Sequence, residues 1–325
     1  MKRIAAADVG GTHARFALAT IDRGEVTELG EPVTVKTSEF ASFQHAWQEF
    51  GRRIDEPLPA ELAIAFAGPV GGDVLKLTNN PWVIRPALMQ EKLGVGQFVI
   101  VNDFAAIAHA VAGLGAADYR HVCGPEGELP ESGVVSIVGP GTGLGVASLL
   151  KRGDGSYEVI ATEGGHVDFA PLDPLEDRIL QHLRENYRRV SVERLVSGRG
   201  LLNIYEAIGT IEKRPYMQLD EKDLWAAALS GSDSLAAAAL DRLCLTFGAA
   251  AGDYALAQGA HAVVLAGGLG LRLVDHLPRS GFRDRFIAKG RFERMMDEMP
   301  VKVIVHPQPG LFGAAKAFAS SHTDL

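Results

Sequence analysis

Two polar segments carry most of the chemistry open to this chain. The first, Val99-Ile100-Val101-Asn102-Asp103-Phe104, sets a carboxylate at the end of one apolar run and just ahead of another. An aspartate in such a place is commonly a helix N-cap. A cap explains one polar residue, however, and here Asn102 stands before Asp103. A fixed carboxylate within hydrogen-bond reach of a hydroxyl can take its proton as that hydroxyl attacks a phosphoryl group. We therefore read Asp103 as a general base. The second segment, Glu163-Gly164-Gly165-His166-Val167-Asp168, sets Glu and His three apart around two glycines. A metal would need a further ligand, and Asp168 points away from a converging Glu163 and His166 if the segment is extended. Vicinal sugar hydroxyls fit better, because a carboxylate accepts while an imidazole both donates and accepts. An isolated histidine in a turn would be structural; beside Glu163 and two glycines, binding is preferred. Glu193, in Ser191-Val192-Glu193-Arg194, is a weak candidate on these grounds, since Ser191 capping a helix would suffice.

Three glycine turns add a second chemistry. In Asp8-Val9-Gly10-Gly11-Thr12, adjacent glycines permit positive φ and bring N–H groups close to a phosphate. Thr12 adds a hydroxyl, and Asp8 could hold a Mg²⁺-bound water; an ordinary hairpin turn is the rival. The turn Gly139-Pro140-Gly141-Thr142-Gly143-Leu144-Gly145 has more glycine than a hairpin requires. It lacks the Gly-Lys-Ser/Thr ending of a P-loop, and a strand rather than a helix follows it. Phosphate binding by Gly141, Thr142 and Gly143 is its best use. The third, Ala266-Gly267-Gly268-Leu269-Gly270, follows a strand and opens a helix, so it suits either an adenosine or a plain strand-to-helix turn.

The elements that must position these groups alternate between strand and helix. Residues 3–8, 14–21, 32–36, 62–67, 74–77 and 98–101 read as strands, and helical patterns cover 39–54, 86–93 and 104–114. A second cycle begins with strands at 134–138 and 144–150, repeating strand, glycine turn and strand about 130 residues later. Helices follow at 177–187, 199–208, 221–229 and 234–258, the last with Leu240, Leu243, Phe247, Ala250 and Tyr254 as a core stripe. A strand at 263–266, a helix opening at the third glycine turn, a strand at 301–305 and a helix at 310–320 complete the pattern.

With 325 residues, 47% of them hydrophobic and 22% charged, the chain has material for two cores. A net charge of −8 argues against a nucleic-acid or anionic-membrane binder. Two distant cysteines, Cys123 and Cys244, rule out a disulfide scaffold or a Cys-based zinc site. The apolar run after Met1 ends at Asp8, too short for a signal peptide, and no uncharged stretch approaches the ~20 residues of a membrane span. A cytoplasmic protein is expected.

The three glycine turns after buried strands resemble the actin-like ATPase superfamily of sugar kinases, chaperones and actin. More closely, the chain resembles the bacterial ATP-dependent glucokinase family over nearly its full length. The matching segments are Asp8-Val9-Gly10-Gly11-Thr12, Thr78-Asn79 with Trp82, Asn102-Asp103-Phe104, 139–145, 163–171, 191–198, Ala266-Gly267-Gly268, Lys289-Gly290-Arg291-Phe292 and Ile304-Val305-His306 with Pro309-Gly310-Leu311. The resemblance implies a two-lobed α/β fold of the actin-like (ribonuclease-H-like) kind with an active-site cleft. It puts residues 1–113 with 306–325 in a small domain and 114–305 in a large one. It implies transfer of the γ-phosphoryl of MgATP to the 6-hydroxyl of glucose, with Asp103 as base. Glucose contacts fall on Asn102, Asp103, Glu163, His166, Glu193 and Asn79. Nucleotide contacts fall on Asp8 (through Mg²⁺), Gly10, Gly11, Thr12, Gly141, Thr142, Gly143, Gly267 and Gly268. It also implies a homodimer. One departure is His13, where some relatives carry Asn after the Thr. A sugar-sensing regulator would call for a DNA-binding helix pair ahead of Asp8, and a chaperone ATPase would leave Glu163 and His166 without purpose.

Overall fold

The computed structural model describes residues 1–77 and 80–322, which fall into two units. One comprises Met1–Gly115, Val159–Ala161 and the chain from His306 onward; the other comprises Ala116–Glu158 and Thr162–Val305.

The first unit opens with a hairpin of β1 (Lys2–Val9) and β2 (His13–Asp22), antiparallel from Lys2↔Ile21 to Val9↔Ala14. β3 (Glu25–Leu29) and β4 (Val33–Lys36) both pair with β2. Helix α1 (Phe43–Arg53) begins four residues later than the aromatic spacing predicts. Ser42 caps it, and Phe40, outside the helix, gives its carbonyl to the Trp82 indole N–H. Then come β5 (Glu61–Phe66), the short pair β6 (Leu75–Lys76) and β7 (Val83–Ile84), α2 (Met89–Leu93), β8 (Gln97–Asn102) and α3 (Asp103–Gly113). Gly94 ends α2 at φ 70°, a left-handed cap that a glycine takes without strain. Strands β1, β5 and β8 are parallel, with Val9 opposite Phe66 and Phe66 opposite Asn102. Their carboxyl ends therefore share one sheet edge, where ligands gather in parallel α/β sheets.

The second unit contains β9 (Tyr119–Cys123), β10 (Gly133–Pro140), β11 (Leu144–Lys151), the ends of β12 (Tyr157–Thr162, whose Val159–Ala161 are counted with the first unit), α4 (Pro174–Asn186), α5 (Gly198–Ile211), α6 (Glu221–Ser230), α7 (Ser234–Gln258), β13 (Ala260–Leu265), α8 (Gly267–Arg272), α9 (Phe282–Ile287), α10 (Glu293–Asp297) and β14 (Val301–Ile304). Its sheet runs β12-β11-β10-β13-β14-β9, against β3-β2-β1-β5-β8 in the first unit. In both, a hairpin is followed by two strands parallel to its first arm. Residues 11–20 and 141–150 even share one burial pattern, position for position. The duplication faint in the letters is plain in the elements.

Helix α11 (Pro309–Ser321) closes the first unit. Ala6, Ala17, Ala63 and Ala65 make a smooth sheet face on which Leu311, Ala314, Ala315 and Phe318 of α11 lie. The opposite face buries Phe16, Phe43, Trp47, Phe50, Phe66 and Trp82. Burial on both faces is why β1 reads as an unbroken apolar run. Gly313 brings α11 so close to α3 that a Cβ there would overlap the Ala106 carbonyl.

Helix α7 is long and apolar enough to cross a membrane by length and composition, although Asp241, Arg242 and Asp253 interrupt it, so the expectation of no long uncharged stretch stands. The structure buries it instead: Leu240, Leu243, Phe247, Ala250 and Tyr254 all lie in the second unit's core. Both cysteines are buried and unbridged, and burial pushes each thiol up to about 12, so neither is a reactive thiolate.

Candidate active site

In the first unit the β1–β2 turn is tied back by its carbonyls. The Gly11 carbonyl accepts from Thr37 Oγ1 (2.7 Å) and Asn80 Nδ2 (3.1 Å), and the Thr12 carbonyl accepts from the Thr37 N–H (3.0 Å). Among the described residues, none accepts from the N–H of Gly11 or Thr12. A turn with carbonyls engaged and amides outward is a small anion cradle. Sequence reasoning missed Thr37 and Asn80. The nearest signal was the 78–79 pair, which lies outside the described residues, so nothing structural bears on the expected role of Asn79.

Asp8, the penultimate residue of β1, stands beside this turn, its side chain 26% exposed. Burial raises its pKa, and Arg15, 3.4 Å away, works in the other direction. Gly310 at the start of α11 is needed here, because a Cβ would stand 2.8 Å from Asp8 Oδ2. The arrangement fits a Mg²⁺ ion brought in by nucleotide phosphates, which takes one or two carboxylates and fills its remaining positions with phosphate and water. Among the described residues, no cluster of three or more His, Cys, Asp or Glu makes a self-contained metal cage.

At the β8–α3 junction the structure corrects the capping argument. Asn102, not Asp103, is the N-cap: its Oδ1 accepts the N–H groups of Phe104 (2.9 Å) and Ala105 (3.2 Å), and its Nδ2 donates to the Gly68 carbonyl. Asn102 is thus largely committed to structure, which narrows the contact it can offer a sugar to its second Nδ2 hydrogen. Asp103 is the first residue of α3, half-buried, with its Oδ1 2.9 Å from the Phe104 N–H. It stands on the sheet edge that also carries Asp8 and the first glycine turn.

The second unit gathers the other candidates. The β10–β11 turn closes on itself through Gly141 N–H to Gly143 O (2.8 Å), while the Gly141 carbonyl accepts from the Gly198 N–H at the start of α5 (2.8 Å). This mirrors Thr37 on Gly11. The next amide, Leu144 N–H, donates to Glu193 Oε2 (2.9 Å), and a Cβ on Gly143 would strike that carboxylate at 2.5 Å. Glu193 therefore braces the β10–β11 turn directly, in a 3₁₀ turn over Val192–Arg194 with no side-chain cap from Ser191. Gly267, at φ 76°, would place a Cβ 2.6 Å from the Pro140 carbonyl. That close approach joins the third glycine turn to the second, and no other residue type could make it. Gly268 faces open space, so nothing in its surroundings demands glycine.

The 163–166 segment is not extended, as the sequence argument supposed, but a 3₁₀ turn over Gly164–His166. Asp168 is drawn off by Arg189, whose Nε donates to Asp168 Oδ1 (2.5 Å) and whose Nη2 donates to the His166 carbonyl (2.6 Å). Asp168 is thus excluded from a shared ligand set, though by an ion pair rather than by strand alternation. The side chains of Glu163 and His166 are exposed. Behind them Gly165 packs so tightly on Leu144 that a Cβ would overlap its carbonyl. Leu144 thus meets the β10–β11 turn, Glu193 and the Glu163/His166 turn at one residue.

The sequence model of the family "Glucokinase" matches residues 5–321. A glucokinase of Zymomonas mobilis is 59% identical over 99% of both chains, and one of Xanthomonas campestris is 41% identical over 97% of this chain and 94% of its own. Among solved structures, a glucokinase from an Antarctic psychrotroph superposes with a TM-score of 0.86 at 31% identity, covering 98% of each chain. A ROK-family glucokinase from Streptomyces griseus, in complex with glucose and AMPPNP, superposes with a TM-score of 0.64 at 20% identity, covering 97% of this chain and 99% of its own. The fold is that of the actin-like ATPases.

Proposed function

This chain belongs to the glucokinase family, and we propose on that footing that it transfers the γ-phosphoryl group of ATP to the 6-hydroxyl of D-glucose. The products are glucose 6-phosphate and ADP. The observation that carries the residue assignment is the division of labour at the β8–α3 junction: Asn102 caps the helix, so Asp103 is not needed for that task. Asp103 accepts the proton of the attacking hydroxyl. The amides of Gly11 and Thr12 in the first turn and of Thr142 and Gly143 in the second hold the β- and γ-phosphates, while Gly10 and Gly141 shape the turns through their own N–H groups; Thr12 and Thr142 add hydroxyls. Gly267 and Gly268 let the backbone approach the adenosine. Asp8 holds Mg²⁺ through water, and that ion, when bound, neutralises charge on the phosphates. Glu163, His166, Glu193, Asn102 and Asn79 hydrogen-bond the sugar hydroxyls. The enzyme works in the cytoplasm as a homodimer.

The test is a coupled assay of ADP release over a panel of hexoses, with Asp103→Asn beside the wild type. Glucose should be the preferred acceptor and the variant nearly inactive. Unchanged turnover in the variant would refute Asp103 as base. Sugar binding without ADP release would point to a sensor.

A further inference from the structure

We propose that Tyr254 is a positioning residue for glucose: from helix α7 it holds the Gly164 carbonyl and so sets the spacing of Glu163 and His166. The inference rests on the reading that these two side chains bind the sugar.

The turn needs such a tether. Two adjacent glycines give it soft backbone dihedrals, and both binding side chains project to the surface. Its floor is not solid either. A cavity of about 50 Å³ lies under the chain just beyond, lined among others by Val167, Phe169, Thr246 and Tyr254. Thr246 Oγ1 is buried there without a partner among the described residues. Against this looseness, Thr162 Oγ1 accepts the Gly164 N–H (3.1 Å) while donating to the Val146 carbonyl (2.8 Å). The carbonyl side of the same residue is held by the Tyr254 hydroxyl at 2.9 Å. Gly164 is therefore gripped on both sides, by strand β11 through Thr162 and by helix α7 through Tyr254.

Tyr254 is suited to this. It is 7% exposed, and a buried phenol ordinarily requires a hydrogen-bond partner. Burial, and then the charges of Asp253 and Glu193, raise its pKa, so it remains a donor. Its stretch of α7 is also braced. Lys289 Nζ donates to the Ala249 carbonyl (2.9 Å) and to Asp253 Oδ1 (2.7 Å), and its stem fills the notch left by Gly252. The Lys289-Gly290-Arg291-Phe292 motif, to which the proposed reaction assigns no role, thereby gains a purpose through Lys289.

The experiment compares Tyr254→Phe with the wild type and with His166→Ala in steady-state kinetics and thermal melting. Phenylalanine keeps the ring and the packing and removes only the donor. KM for glucose should rise about three- to tenfold, the loss of one hydrogen bond, with kcat and KM for ATP within about twofold. An unchanged KM for glucose overturns the proposal, and so does a lowered Tm with unchanged KM, which would assign Tyr254 to the core alone. If His166→Ala raises KM for glucose and Tyr254→Phe does not, this inference fails by itself. If His166→Ala leaves KM unchanged, the sugar reading fails and takes this inference with it.

Discussion

Asp8, one residue before the end of β1, and Asp103, just after the end of β8, lie at the carboxyl ends of parallel strands of one sheet, yet their surroundings ask different things of them. Asp103→Asn keeps shape and removes the proton acceptor, so kcat should fall by about 10²- to 10⁴-fold with little change in KM for glucose, measured by coupled ADP release. Glu163→Ala and His166→Ala should do the reverse, raising KM for glucose while leaving more of kcat, because they remove contacts made already in the ground state. Asp8 carries its charge at a cost. Burial raises its pKa, so the folded protein holds that proton more tightly than the unfolded chain does. Its ionised form therefore weakens the fold as pH rises through the raised value. Asp8→Asn should melt no lower than wild type at pH 8, with the difference shrinking at pH 4, while ATP-dependent turnover collapses. A clear loss of Tm at pH 8 would mean that Arg15 outweighs burial.

Among elements, the α3–α11 crossing and the Leu144 junction hold the two groups of candidate residues. Gly313→Ala would force α11 from the Ala106 carbonyl, and overpacking of this kind costs about 1–3 kcal/mol or more. Because α3 begins at Asp103 and Gly310 of α11 flanks Asp8, activity should drop even at temperatures where the variant remains folded, as circular dichroism beside the assay would show. Glu193 touches the β10–β11 turn, proposed to hold phosphate, through Leu144, so Glu193→Ala should raise KM for ATP as well as for glucose, whereas Glu163→Ala should move glucose alone. The charged cluster of Asp173, Glu176, Arg242 and Arg285 clamps α4 to α7 and α9. Burial pushes the Asp173 pKa upward, but the Glu176 amide and the two arginines prevail and lower it. The stability it contributes is thus present at neutral pH and lost as pH falls through that lowered value.

At the scale of the molecule, each unit builds its own sheet and core, and the duplicated strand order gives each one a glycine turn at the end of a first hairpin. Binding of glucose to the folded chain alone should raise its stability by about 2.7 kcal/mol at a hundredfold excess over Kd. In thermal melts Asp103→Asn should keep most of this shift and Glu163→Ala should lose it. Much of this was legible beforehand: the buried strands, α7 to its last residue, and the three glycine turns, because periodicity and glycine clustering are local signals. Two helix starts were less legible. α1 waits for Ser42 rather than Glu39 because a cap and a distant indole decide the matter, and α4 starts at Pro174, three residues before its apolar stripe suggests.

Residue order alone determined which groups could do chemistry: a carboxylate after an apolar strand, a Glu and a His around two glycines, and three glycine-rich turns after strands. It could not say which residue of a polar pair does which task. Only the tertiary structure decided that Asn102 caps α3, that Arg189 removes Asp168 from the binding turn, and that Glu193 supports Leu144. Each of those outcomes depends on a partner distant in sequence or on a helix boundary. A hydrogen bond goes to whichever donor or acceptor the packed chain brings within reach, and packing is a property of the whole fold.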